Sequence, residues 1–313
     1  EINGTSSSTV INGGTDLTIS GTTPSTLSSG QTAHGVHIKG GLLTSTAGPV
    51  TITGQGPSLG TILAQNAKGV YIEPGAEFTI GNSSTGPFTI KGTSSLATDP
   101  IAIDISNSVD FFSSTNTASS FQLDSPTSGI ISINGNIKTS LGRIEVLNNS
   151  SGVNLSSQLE TVGGAINLPG VLNISKANGV KVKSAGGAIN LNTINASTVG
   201  NALEVDASLL SGGGNVSLKG VVGASNALGE FLVSGNLINL YDDITTSQGN
   251  ISFSGPVIFF NSGKTITSGT GVGDITFNSS VNCTPSTPLP IKLNAGSGNL
   301  TFSGNVGASS GRI

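Results

Sequence analysis

The hexapeptide GGAINL occupies 163–168 and recurs letter for letter at 186–191, an interval of 23 residues. It belongs to a wider pattern of Gly, any residue, aliphatic, small polar, aliphatic or Phe. That pattern reads GIISI (129–133), GAINL (164–168), GAINL (187–191), GNVSL (214–218), GNISF (249–253), GDITF (273–277) and GNLTF (298–302). Successive gaps are 35, 23, 27, 35, 24 and 25 residues. The recurring order predicts a super-repeat of about 85 residues made of three smaller units. Longer words agree with it. GNIKTSLGRI (135–144) aligns without a gap to GNVGASSGRI (304–313), and VVGASNALGEF (221–231) fits between them with a short insertion.

Each block alternates apolar, polar, apolar, the period of a strand with one face inward, and helical periodicity is missing. Further strand-like pieces are IEVL (144–147), VNL (153–155), LNI (172–174), VKV (180–182) and LEV (203–205). Clusters of Gly, Asn, Ser and Pro between them supply corners. Short strands at this spacing without intervening helices form coils. A coil cannot bury its own apolar face, so the core closes only when coils stack. The expected fold is all-β, a single-stranded parallel β-helix with coils of about 23–35 residues, in which Ile166 lies against Ile189 and Leu168 against Leu191. A β-sandwich is the main competitor, but it gives no reason for the same strand letters to recur.

The first part of the chain is less regular but built alike. GVHI (35–38) and GVYI (69–72) lie 34 apart, and VTI (50–52), FTI (78–80), FTI (88–90), IAI (101–103) and FQL (121–123) read as strands. The expected organisation is irregular coils over 1–128, continuous with regular coils over 129–313. SSTNTASS (113–120) reads as a surface loop. The chain begins at Glu1, contains no Met and breaks off in mid-repeat at GRI (311–313). It therefore reads as a mature or excised piece of a longer product.

Composition sets what the coils can carry. Charged residues make up only 9%, yet 35% is hydrophobic and the net charge is -4, so the chain can bury a core rather than remain disordered. That core must be aliphatic, since aromatics supply 4%. No run approaches the roughly 20 apolar residues that cross a bilayer, so no membrane-spanning segment is expected. Twelve Lys and Arg, spread singly, form no basic stripe, and nucleic acid is not an expected partner. Cys283 is the single cysteine, which excludes an internal disulfide and a multi-cysteine metal site.

The repeats GNISFSGPV (249–257), GDITFNSSV (273–281) and GNLTFSGNVGASSGRI (298–313) resemble those of large secreted bacterial adhesins of the filamentous-haemagglutinin type. GGAINL also resembles the GGA-aliphatic motif of chlamydial polymorphic membrane proteins. The resemblance implies a right-handed parallel β-helix displayed outside the cell. It also implies secretion through an outer-membrane partner or an autotransporter barrel.

Parallel β-helices also host polysaccharide lyases and hydrolases, so chemistry-bearing residues need weighing. The only adjacent acids are Asp242 and Asp243, and the only histidines are His34 and His37. Polygalacturonase-like enzymes place an Asp-Asp pair before a His-Gly; here His34-Gly35 precedes the pair, reversing the order. Asp242 and Asp243 read as solvated turn residues. Strand alternation puts His34 and His37 on opposite faces, against a shared metal. Glu73 and Glu77 flank Pro74-Gly75 and are expected to face solvent. No calcium repeat or phosphate loop occurs. The expectation is therefore no catalytic, cofactor-binding or metal-binding residue, and no cofactor.

Sequons at Asn173, Asn195, Asn215, Asn250, Asn278 and Asn299 fall largely in the polar part of the repeat. The outward pairs Thr51/Thr53 and Thr265/Thr267 do not recur in the sequence as an array. The functional expectation is a structural and adhesive shaft segment of a secreted bacterial cell-surface fibre. Its partners would be surface glycans or proteins of a host or neighbouring cell. Two alternatives stand beside it: a subunit of an extracellular filament that stacks end to end on itself, and a carbohydrate-active β-helix enzyme, which predicts Asp, Lys, Arg or His gathered on one face.

Overall fold

The structure is a computed structural model. It describes residues 10–13, 16–23, 34–39, 41–45, 48–56, 68–73, 78–82, 86–94, 100–113, 120–126, 129–149, 151–208, 212–284 and 290–307, with the backbone alone at 10–13, 41–45, 78–82 and 112–113. The described residues form an all-β parallel β-helix: they contain no helix, and every pair of extended strands is parallel. None of them forms a helix long and apolar enough to cross a membrane. Two compact units divide the chain, Glu1–Gly164 and Ala165–Ile313.

In the first unit every third strand pairs, which makes a three-faced coil. One face runs through Val10–Gly13, Gly41–Ser45, Phe78–Asn82, Val109–Ser113, Ile137–Thr139 and Leu159–Thr161. The next runs through Leu17–Thr22, Val50–Gln55, Phe88–Thr93, Ser120–Ser125 and Arg143–Asn149. The third, called here the Val36 face, runs through Val36–Ile38, Val70–Ile72, Ile101–Ile105, Ile130–Ile133 and Val153–Leu155. The interval between GVHI and GVYI is thus one coil, because Val36 lies against Val70 and Ile38 against Ile72. Most of SSTNTASS and the whole of GRI (311–313) lie outside the described residues.

The second unit has the same plan. Its Ile166 face stacks Ile166–Leu168, Ile189–Leu191, Asn215–Leu218, Leu237–Leu240, Val257–Phe259 and Val281–Cys283. Its Val180 face stacks Val180–Ser184, Leu203–Asp206, Phe231–Ser234, Ile251–Ser254, Ile275–Phe277 and Leu300–Phe302. The remaining face pairs Leu172–Ile174 with Ile194–Ala196, passes through single bridges at Val222, and resumes as Ile244–Thr245, Lys264–Thr267 and Ile291–Asn294.

Ile166 lies against Ile189 and Leu168 against Leu191, the stacking that the doubled hexapeptide predicts. The seven pattern matches, however, fall on three faces: GIISI on the Val36 face, the two GAINL and GNVSL on the Ile166 face, and GNISF, GDITF and GNLTF on the Val180 face. The pattern marks a strand rather than a side of the coil, because all three sides have the same inward alternation.

That alternation builds the core. Ile166, Ile189, Val216, Ile238, Val257 and Val281 form one buried row, and Leu168, Leu191, Leu218, Leu240, Phe259 and Cys283 form the row beside it. Each such side chain contributes about 1.5–3 kcal/mol relative to exposure. Aromatic rings stack within rows where coils need bulk. Phe253 and Phe277 lie 5.1 Å apart, as do Phe277 and Phe302, and in the first unit Phe88 stacks on Phe121 at 5.7 Å. At corners among the described residues an inward hydroxyl captures the carbonyl of a following glycine: Ser125 to Gly129, Thr139 to Gly142, Thr161 to Gly164, Thr246 to Gly249 and Ser268 to Gly273. These bonds satisfy polar groups that coil stacking would otherwise bury unpaired.

Candidate functional site

Charged side chains point outward, and several of the described ones meet an opposite charge one rung away. Lys138 reaches Glu160 at 3.3 Å, Lys181 and Lys183 reach Glu204 at 2.9 and 3.0 Å, and Lys91 stands 3.7 Å from Asp124. Such cross-strand pairs each add a few tenths of a kcal/mol to the ladder.

One place differs, the outward side of the Val36 face. In-register pairing of Val36–Ile38, Val70–Ile72 and Ile101–Ile105 stacks His37 on Tyr71 and Tyr71 on Asp104. The His37 and Tyr71 rings are stacked with centroids 5.0 Å apart. His34 stands 5.1 Å from His37 and 4.7 Å from Tyr71. Strand alternation expected the two histidines on opposite faces. The structure corrects this: His34 precedes the strand and Gly35 lies in a bend, so alternation does not carry back to residue 34.

The next coil completes the cluster. The backbone N–H of Lys68 donates to His34 Nδ1 at 3.2 Å, which leaves Nε2 as the protonated nitrogen of the neutral ring. Lys68 Nζ lies 4.0 Å from the centre of the Tyr71 ring and pairs with Asp104 Oδ2. Asp104 is buried, and its Oδ1 accepts hydrogen bonds from Ser106 Oγ at 2.7 Å and Asn134 Nδ2 at 3.3 Å. His37 Nε2 lies 2.8 Å from Glu73 Oε2 without the geometry of a hydrogen bond.

Burial, with the charges of His37 and Lys68 behind it, lowers the pKa of His34 to about 4 against a smaller opposite pull from Asp104 and Glu73. Burial, then Asp104 and Glu73, raises the pKa of the Tyr71 phenol above its ordinary value. At neutral pH the cluster thus offers an uncharged imidazole, a phenol that keeps its proton, and charges held close to partners. Among the described residues no group of three or more His, Cys, Asp or Glu is placed to hold a metal ion.

The other candidates are engaged locally. Asp242 Oδ1 accepts from Lys264 Nζ at 2.8 Å and from the Asp243 N–H at 2.9 Å, while Asp243 Oδ1 accepts from the Thr265 N–H at 2.7 Å. The pair is half-buried and binds the next rung, where the sequence suggested solvated turn residues. Glu73 is half-exposed, and Glu77 lies outside the described residues. Of the sequons, Asn195 is buried and its Oδ1 accepts from Ser225 N–H, whereas Asn250 and Asn299 bracket Asp274 in a corner ladder. Thr51 pairs in register with Thr18 and Thr89, and Thr53 with Ser20 and Lys91, so the outward threonines interleave with a lysine.

Lys68, Tyr71 and Asp104 are absent from the sequence-derived candidates. The signal that could have found Tyr71 was the recurrence of GVHI as GVYI, which superposes His37 on Tyr71. No protein-family model, curated protein or solved structure matches this chain.

Proposed function

We propose that the chain is a non-catalytic shaft segment of a secreted, cell-surface adhesive protein, presented outside the cell to glycans or proteins of neighbouring surfaces. The observation that carries this reading is the unbroken pair of buried rows on the Ile166 face, from Ile166 to Val281 and from Leu168 to Cys283. Stacked coils that share one core resist bending and lengthen by addition of further coils. The ion pairs serve the same end, since those of Lys138 with Glu160, Lys181 with Glu204 and Lys264 with Asp242 join neighbouring rungs.

An enzymatic reading calls for acids and bases gathered on one face, and the Val36 face does gather His34, His37, Lys68 and Asp104. Their bonding argues against hydrolysis, which needs a pair of carboxyl groups available to the substrate, and only Glu73 is left to serve. Both oxygens of Asp104 are occupied by Lys68, Ser106 and Asn134.

The shaft reading is tested on intact cells that make the whole protein. Antibody raised against this region should label unpermeabilised cells. Labelling that requires permeabilisation overturns the reading.

A further inference from the structure

The His34, His37 and Tyr71 cluster has a chemistry that the shaft does not use. Its rings are packed on one another at 4.7 to 5.1 Å, so their positions are fixed before anything binds. Among the described residues Tyr71 has ring contacts but its hydroxyl has no hydrogen-bond partner. His34 keeps Nε2–H as a donor because Nδ1 is taken by Lys68 N–H. Glu73, half-exposed beside His37, is an acceptor at the same surface.

Charge narrows the class of ligand. Lys39 and Glu73 are in register, as Ile38 and Ile72 before them are paired, and Lys68 is paired with Asp104. Two ammonium groups and two carboxylates cancel, so the strip selects neither a polyanion nor a polycation. Along the coil axis the polar strip continues as Ser132, Asn134 and Ser156, in which Ser156 Oγ donates to Asn134 Oδ1 at 2.7 Å and Asn134 Nδ2 donates to Ser132 Oγ at 3.1 Å. Fixed donors and acceptors that alternate without net charge complement vicinal hydroxyl groups, each of which both donates and accepts.

We propose that the outward strip of His34, His37, Tyr71 and Glu73 is a binding subsite for a neutral, hydroxyl-rich glycan. The ring faces are spent on each other, so the sugar meets ring edges, the Tyr71 hydroxyl and the Glu73 carboxylate. The proposal rests on the adhesive-shaft reading and adds a location and a ligand class to it.

The chain has two histidines, both in this cluster, so the side-chain signals of histidine-labelled protein report on the subsite alone. The probes are cellohexaose, mannohexaose and laminarihexaose, with hexagalacturonate as the charged counterpart. At least one neutral hexaose should shift both histidines saturably with a Kd of about 1 mM. Tyr71→Phe, checked for unchanged folding by circular dichroism, should weaken that binding about two- to tenfold. No shift with any neutral probe, a shift with hexagalacturonate alone, or unchanged affinity in Tyr71→Phe overturns the proposal. The recovered sugar separates the two readings. An uncut hexaose with shifted histidines supports both, and a shortened one overturns the non-catalytic shaft. Absence of binding alongside surface labelling of intact cells removes the subsite and leaves the shaft standing.

Discussion

The Cα of Gly164 faces the carbonyl of Gly142 so closely that a β-carbon would stand 2.0 Å from its oxygen, whereas at Gly163 the nearest atom to such a carbon is Leu141 Cδ2 at 3.5 Å. Of the two glycines that open the copy of GGAINL at 163–168, only the second is demanded by packing. Neither residue has a positive φ, so the requirement at Gly164 is steric: one corner of backbone lies directly on another. Gly164→Ala should cost about 3 kcal/mol or more, because backbone cannot retreat as a side chain can. Gly163→Ala should stay within about 0.5 kcal/mol. Thermal unfolding of the two variants checks this, and equal losses would refute the steric account.

Phe277 lies between Phe253 and Phe302, 5.1 Å from each ring, and is fully buried. Truncation removes two ring contacts and leaves a cavity between coils. Phe277→Ala is expected to destabilise the protein by about 3–5 kcal/mol, and Phe277→Leu by clearly less. Denaturant melts monitored by far-ultraviolet circular dichroism would show the difference in midpoint.

How far the letters led depends on what each residue's neighbours are. Ile166 and Ile189 could be paired from sequence because identical words stack, and the recurrence of GVHI as GVYI carried the same signal. The side of the coil on which a word lies was not legible: GIISI and GNISF share letters yet occupy different faces. His34 was placed on the wrong side because alternation was carried back through Gly35. Lys68 and Asp104 were invisible as a pair, since each is a single charge in its own coil and only the register brings them together. The corner hydroxyls, such as Thr161 on Gly164 O, were hidden for a related reason. A buried Thr at the end of a strand looks like any outward Thr until the corner is built.

His34 gives a pH dependence with a definite sign. Its folded pKa of about 4 lies below the ordinary 6.5, so between those values the unfolded chain binds a proton that the folded one refuses. The neutral ring's contribution is fully present above pH 6.5 and is lost as pH falls towards 4. With His37 and Lys68 opposing its charge and Glu73 and Asp104 favouring it, and with solvent screening allowed for, the loss should be about 1–2 kcal/mol. His34→Gln should flatten stability against pH over this window. A variant that keeps the wild-type slope would place its origin elsewhere.

Glu204 tests the opposite sign in the second unit. Burial alone would raise its pKa, but hydrogen bonds and charge from Lys181 and Lys183 outweigh that and lower it. Its contribution is therefore present above the ordinary carboxyl value near 4.5 and is lost as pH falls below it. Since the group is partly exposed and Lys181 half-exposed, Glu204→Gln should cost less than about 1 kcal/mol, and about 1 M salt should erase most of the difference. Melts at low and high salt decide the matter, and a loss that salt does not touch would mean that packing is responsible.

Cys283 provides a local probe of the stacked core. Its side chain points inward in register with Phe259, which itself stacks on Leu240, and the residue is only 5% exposed. A bulky thiol reagent should therefore react only when the coil opens, at a rate set by the local opening equilibrium. Phe259→Ala removes the ring beneath the thiol at a cost of about 3–5 kcal/mol. Since 1.4 kcal/mol is a factor of ten, labelling should accelerate at least tenfold even if only part of that loss is felt at this coil. Thr265→Ala, an outward change on a different face, should leave the rate unaltered. Labelling of the native protein as fast as in denaturant would mean that the row from Leu240 to Cys283 is not closed in solution.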